Sequence, residues 1–598
     1  MLPKEKGLPR RRISLGVVLL AAMAVFLIAG MVWRTGCMHS TSSYFQTRAN
    51  LFRPVQYVPP PMTPEKQEFL RQYPGYGYTG KIDEIAGTQL THFKDAVYLD
   101  YTGSGVYQQR QLELVMRDLA GNLYGNSHSI NPSSQRTDLA VAAVRKKVLA
   151  WFNVTSSEYA VIFTSGATGG LKLVGETFPW SKDSEFLYMR ADHNSVLGIR
   201  EYALDRGAIF DCTDEAALYH QAHLRTTAPG LPKAGGNQDA YHLFAFPAEC
   251  NFSGVKYPLE LIDMFHNGTL GMKKGSGLSP SHAVLPLPLR ILAPLTHHPL
   301  TQSLAPLTHP SPPWPIPRPP DPSLAPRSKY LVLLDAAAFV PTAPLDLHKH
   351  PADFVVMSFY KMFGYPSGLG ALVVRHDALN LLRKSFFSGG TVVTSASDEH
   401  FHIWQHDMCA RFEDGTLPFL NIVALKYGFQ MLDELGYEPI LAHTFALWDY
   451  TAQQMKGLKH SNGLPLVEFY GRHDTRDPHR QGPILNFNLR KPDGSYFGYH
   501  EVSELAAQNN IHLRTGCSCN PGACYSYLHI ESKLIRKLAE EKDTCGDALD
   551  VVEGKIVGSI RVSFGYLSTY EHAQALLSFL RSNFLDVFEI GARSDVPF

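Results

Sequence analysis

The sequence predicts an α/β fold: a large, mainly parallel sheet domain, a smaller α/β domain after it, and a single transmembrane helix in front. Three observations carry this. Short apolar runs bounded by turn residues alternate with stretches of helical periodicity, from Val97 to Val374 and again from Gly482 onward. One apolar run, 330–334, ends in Asp335, and another, 353–357, leads into Ser358-Phe359-Tyr360-Lys361 and a glycine-rich turn. Residues 13–33 carry no charge and are long enough to cross a bilayer as a helix.

The front of the chain sets the topology. Lys4, Lys6, Arg10, Arg11 and Arg12 precede the apolar span, so 1–12 reads as a cytoplasmic basic flank and 13–33 as an uncleaved anchor. This makes the chain a single-pass membrane protein, or a cytoplasmic one if the anchor is a gene-model artefact. Residues 34–64 are polar and proline-containing and read as a linker, with a short helix starting at Pro64. In the 598 residues Lys+Arg and Asp+Glu both number 55, so no global field points to nucleic acid. Of 8 Cys, only Cys517, Cys519 and Cys524 cluster, which is a poor disulfide framework.

In the large domain, 65–430, strand 97–99 is followed by helical stretches at 110–123 and 138–152. Strand 159–163 runs into Thr164-Ser165-Gly166-Ala167-Thr168 and opens a helix. A small-residue turn at a helix N-terminus forms a phosphate cradle, or is an ordinary strand-to-helix turn. Strand 185–189 ends near His193, at the end where parallel sheets bind ligands. Strands 208–210 and 243–246 follow, the latter running into Asn251. Residues 272–327 are rich in proline and read as a disordered insertion. Asp335 at one strand end and Lys361 at the next form a pattern for pyridoxal phosphate, Lys361 forming the Schiff base and Asp335 pairing with the ring nitrogen. After strand 370–374, the stretches 387–392 and 411–418 read as polar loops. The small domain, 431–598, holds helices 421–434 (crossing its boundary) and 439–456, strands 484–489, 511–514 and 559–564, and the cysteine loop. Cys-x-Cys-x4-Cys reads either as thiol chemistry or as a zinc site with His529 as a fourth ligand.

The stretches LDAAAFVPTAPLDL, DFVVMSFYKMFGYPSGLGALVVR, RFEDGTLPF, LRTGCSCNPGAC and GSIRVSFGYLST closely resemble the desulfurase part of the molybdenum cofactor sulfurases, which have the class V aminotransferase fold. The resemblance implies a seven-stranded sheet, a homodimer and pyridoxal 5'-phosphate. It implies removal of sulfur from L-cysteine as an enzyme persulfide, release of L-alanine, and transfer of sulfur to the molybdenum cofactor. It gives Lys361 as the cofactor lysine, Asp335 as the ring-nitrogen partner and His193 as the stacking ring. Ala167, Thr168 and Ser358 meet the phosphate, with Thr391 from a second subunit. Asn251 and Arg561 hold the substrate carboxylate, and Cys519 is the nucleophile. No metal site is implied. Ala338 and Tyr360 stand where cysteine desulfurases carry Gln and His, as expected of the sulfurase branch. The family continues into a cofactor-binding domain, whereas this sequence ends at Phe598, and an anchor is not a family feature. The alternatives are another class V enzyme, a lyase or aminotransferase that needs no Cys519, and an inactive membrane-tethered scaffold.

Overall fold

The computed structural model describes residues 61–227, 240–271, 329–541 and 550–589. The span 13–33 and the insertion 272–327 lie outside the described residues. Among the described residues, no helix is long and apolar enough to cross a membrane.

Seven strands form the main sheet: β1 Tyr159–Thr164, β2 Glu185–Met189, β3 Ile209–Thr213, β4 His242–Pro247, β5 Tyr330–Asp335, β6 Phe354–Ser358 and β7 Gly370–Arg375. Their order is β3-β2-β4-β5-β6-β7-β1. Pairing is parallel from β3 to β6, while β7 runs antiparallel to both neighbours. The near-continuous apolar runs follow from burial on both faces. Along β1, Ala160 and Ile162 enter one apolar cluster, Val161 and Phe163 the other. The parallel strands end on one side, with Pro247 opposite Asp335 in register. The loops after β1, β2, β4, β5 and β6 therefore converge there.

The second sheet is antiparallel, from β8 Val467–Tyr470, β9 Ile484–Leu489, β10 Arg514–Gly516 and β11 Ser559–Ser563, in the order β8-β9-β11-β10. The stretch 511–514, expected as one strand, is divided. Ile511–His512 pairs in parallel with Val97–Tyr98, while β10 pairs with β11. The segment 97–98 thus forms a small two-stranded sheet of its own with 511–512, and Asp100 just after it bridges Ser563 of β11. Helix Pro64–Gln72 begins at Pro64 as expected, because Thr63 accepts from the Lys66 N–H and Pro64 needs no partner. Its Phe69 packs among Tyr73, Tyr76, Tyr450 and Tyr570.

Two further element readings change. The helix expected at 138–152 runs Pro132–Trp151, because Asn131 and Ser134 close a capping box upstream of the apolar stripe. The loop region after 387 contains a hairpin, Val392–Ser395 against His402–Trp404, whose strands are four and three residues long and mostly exposed, too short to show a period.

Candidate active site

Lys361 lies in the five-residue helix Phe359–Phe363, directly after β6. Phe359, Met362 and Phe363 are fully buried and fix the turn. Its backbone packs closely on the loop after Asp100: a Cβ on Gly105 would lie 2.7 Å from the Lys361 carbonyl oxygen. Gly364 supplies the left-handed residue that ends the turn, at φ 78°.

One cavity of about 100 Å³ gathers the strand-end residues. Ala167, Thr168, His193, Asn251, Asp335, Ser358 and Lys361 all line it, as do Ala338 and Tyr360. Ala167 opens the helix Gly166–Thr177, and its N–H donates to Ser358 Oγ at 2.8 Å. Thr168 Oγ1 shares a hydrogen bond with Ser195 Oγ at 2.9 Å. Asp335 Oδ1 accepts from the Ala337 N–H at 3.0 Å.

Electrostatics separate the titratable groups. Burial pushes the Lys361 ammonium below the ordinary lysine range; Asp335 opposes this, while Arg561 and Arg514 reinforce it. Burial likewise lowers His193, and Asp335 opposes that too. His193 Nδ1 accepts from the Ser195 N–H at 3.1 Å, so the imidazole is anchored as the cap of a short helix. Asp192, which sequence reasoning passed over, is held above the ordinary carboxylic range by burial and then by Asp335. Its position beside His193 was the one available signal.

The cysteine loop closes over this region. Ser518 and Cys519 both adopt left-handed backbone, at φ 52° and 55°, which costs a non-glycine residue roughly 1–2 kcal/mol. Three contacts hold the loop: Asn194 N–H to the Cys519 carbonyl at 2.9 Å, Asn251 Nδ2 to the Ser518 carbonyl at 2.7 Å, and Asn520 Nδ2 to the Ala191 carbonyl at 2.7 Å. Asn194 and Asn251 belong to the loops carrying two of the pocket residues. Cys519 is an exposed free thiol. Cys517 and Cys524 are joined as a disulfide, so the expectation against disulfides is corrected here, and the zinc alternative loses two of its three thiolates. Sequence spacing could not show this, because the pair meets only after Asn520 starts the helix Pro521–Tyr527.

Two expected residues stand apart from the pocket wall. Arg561 is fully buried behind Asn251. Its Nη2 pairs with Asp100 Oδ1 at 2.7 Å and its Nη1 donates to the Asn251 carbonyl at 2.8 Å. Asp100 was visible as a strand-end acid without an assigned role. Thr391 is also buried, with its hydroxyl exchanging hydrogen bonds with the Ser388 backbone at 2.8 Å, away from this cavity. A threonine stapling its own loop in this way cannot reach the phosphate cradle of its own chain.

A buried lysine of lowered basicity, a carboxylate, and a helix N-terminus flanked by hydroxyls suit a molecule with an aldehyde, a ring nitrogen and a phosphate. The residues present therefore fit pyridoxal phosphate.

The sequence profile described as aminotransferase class-V matches residues 97–214 and 322–576. The chain is 40% identical over 540 residues to the molybdenum cofactor sulfurase of Arabidopsis thaliana, covering 87% of this chain and 60% of that protein. It is 40% identical over 514 residues to the Homo sapiens protein of the same name, covering 84% and 52%. The chain thus spans about half to three fifths of the length of these relatives. Among solved structures, an apo cysteine desulfurase from Thermococcus onnurineus NA1 superposes with a TM-score of 0.58 at 16% identity, covering 84% of this chain and 97% of that one. The cystine C-S lyase C-DES, solved with cysteine persulfide, superposes with a TM-score of 0.54 at 16% identity, covering 83% and 100%. These two likenesses establish the fold, and the profile match, spanning more than half of the sequence, shows that the chain belongs to the class-V aminotransferase family.

Proposed function

We propose that this chain is a pyridoxal phosphate-dependent cysteine desulfurase that works as a molybdenum cofactor sulfurase. The observation that carries the reading is the tethering of an exposed thiol, Cys519, to the loops of a pocket walled by Lys361, Asp335 and His193.

In that pocket pyridoxal phosphate supplies an electrophilic carbon for the amino group of L-cysteine and a ring that draws electrons from Cα. The helix N-terminus at Ala167 and Thr168, with Ser358, would hold its phosphate. Asp335 would keep the ring nitrogen protonated, and His193 would lie against the ring. Lys361 is the group that moves the Cα proton, since burial lowers its basicity and so favours the free amine over the ammonium. The Cys519 thiolate attacks the substrate sulfur. An S–S bond forms, the C–S bond breaks, and the electron pair left on carbon takes a proton to give L-alanine. Arg514 supplies positive charge at the strand edge that leads into the cysteine loop.

Names of relatives at about 40% identity support the molybdenum cofactor as final acceptor of sulfur. Exposed Phe386, Val393, Phe401 and Ile403 around the 392–404 hairpin support a homodimer.

The test is incubation of the purified chain with pyridoxal phosphate and L-cysteine. Stoichiometric alanine and a persulfide on Cys519 are expected. Lys361→Ala should lose the visible band of the bound cofactor and at least about a thousandfold in alanine release, in line with loss of general base and covalent anchor. Cys519→Ala should keep the band and form no persulfide. Full alanine release by Cys519→Ala would replace the desulfurase with a lyase.

A further inference from the structure

Next to the cofactor pocket lies a second, smaller chamber of about 20 Å³. Glu249 and Lys361 are walls of both, and Tyr101, Thr102, Thr342 and Tyr566 are the other hydroxyl-bearing residues of the smaller one. A chamber of this size accommodates one water molecule, and such a water needs two to four polar partners. Glu249 and Thr342 are 2% and 5% exposed, and neither Glu249 Oε2 nor Thr342 Oγ1 has a hydrogen-bond partner among the described residues. Leaving two buried oxygens unsatisfied costs about 1–3 kcal/mol each. Their convergence on one water-sized space therefore needs a ligand.

The backbone commits Glu249 to this place. It bridges Lys256 in an antiparallel pair, and a Cβ on Gly482 would strike its carboxylate, 2.0 Å from Oε1. The charged group acting on it is Lys256 from the opposing segment, and the other titratable groups lining the same chamber are Lys361 from the turn after β6, Tyr101 from the loop after Asp100 and Tyr566 from the loop after β11. Lys256 is itself occupied, donating to the Pro478 carbonyl at 2.7 Å. Burial lifts the Glu249 carboxyl to about 7 in spite of Lys256, while burial lowers Lys361.

We propose that the chamber seats one fixed water molecule held by Glu249 and Thr342, through which Glu249 exchanges a proton with Lys361. In the transfer an N–H bond of the Lys361 ammonium breaks as an O–H bond forms on the water. One of the water's own O–H bonds breaks, and that proton joins the Glu249 carboxylate. Lys361 is left as an amine and nothing is oxidised. The water site stands on the chamber alone, whereas the proton exchange rests on the reading of Lys361 as the base.

The full chain without cofactor is the test object. A crystal structure should show an ordered oxygen bonded to Glu249 and Thr342. Infrared difference spectra between about pH 5.5 and 8.5 should show a carboxylic-acid carbonyl band that fades with a midpoint near 7 and is absent in Glu249→Gln. Thr342→Val, which keeps the shape and removes the hydroxyl, should shift that band and its midpoint. In the loaded enzyme, Glu249→Gln should still form the Cys519 persulfide but lose a rate step near pH 7. A dry chamber overturns the water site, and a wild-type difference spectrum that Glu249→Gln leaves unchanged overturns the proton store. Both measurements can be made whether or not the chain turns over L-cysteine.

Discussion

Arg514 and Arg561 face each other across the β10–β11 pair, yet they are in different electrical states. Arg561 is buried and spends its charge on Asp100, while Arg514 is exposed. On the proposed function, the carboxylate of L-cysteine would then meet Arg514, the exposed one of the two. Arg514→Ala should raise KM for L-cysteine about tenfold, equivalent to about 1.4 kcal/mol, and change kcat much less. Steady-state kinetics decides this, and an unchanged KM would return the carboxylate to Arg561. Asp100→Ala should act on stability, because it leaves a buried guanidinium unpaired at a cost of about 3–5 kcal/mol. Thermal unfolding should show a drop in Tm of several degrees. Lys361, Asp335 and Ser358 were legible as single residues because each stands at the end of an apolar run. Asp100's hold on Arg561 was not, since its partner lies 461 residues away.

At the scale of elements, the turn Tyr76–Tyr78 docks on the helix Tyr437–Lys456 through His443. The imidazole stacks on Tyr76, and its Nδ1 accepts from the Gly77 N–H at 3.1 Å. Burial lowers His443 to about 3, and burial also lowers His473 and His572 to about 4. Above about pH 6.5 these rings are neutral whether the chain is folded or not, and their stability contribution is fully present. Below it, the unfolded chain binds protons that the folded chain refuses. Each ring then costs about 1.4 kcal/mol of stability per pH unit until its folded value is reached. Urea unfolding between about pH 7 and 5 should show this slope. His443→Gln should be less stable at pH 7 and flatter in pH dependence; a parallel slope would contradict the burial argument. Strands buried on both faces were legible as elements, being short and uniformly apolar. The hairpin at 392–404 was not, because strands of four and three mostly exposed residues are too short to carry a readable period.

For the whole molecule, the long proline-rich insertion interrupts the sequence but not the sheet. β4 and β5 pair residue for residue from His242–Tyr330 to Pro247–Asp335. Deleting 280–326 should leave Tm and turnover nearly unchanged, since loop closure changes by only about 0.6 kcal/mol per doubling of loop length. A large fall in Tm would show that the segment packs on the fold. The sequence by itself determined the alternating α/β order, the site's lysine and acid, the glycine turn beside them, and the reactive-cysteine stretch. These are local: strand ends, turn chemistry and spacing are written in consecutive residues. Only the tertiary structure decided that Cys517 and Cys524 bond around Cys519, that 97–98 pairs with 511–512, that Asp100 takes the charge of Arg561, and that Glu249 and Lys361 line one chamber. The disulfide depends on the local turn that brings two cysteines seven residues apart together; the other three depend on groups brought together by burial from distant parts of the chain, and hydrophobic packing, being non-directional, leaves no periodic trace of such meetings in the sequence.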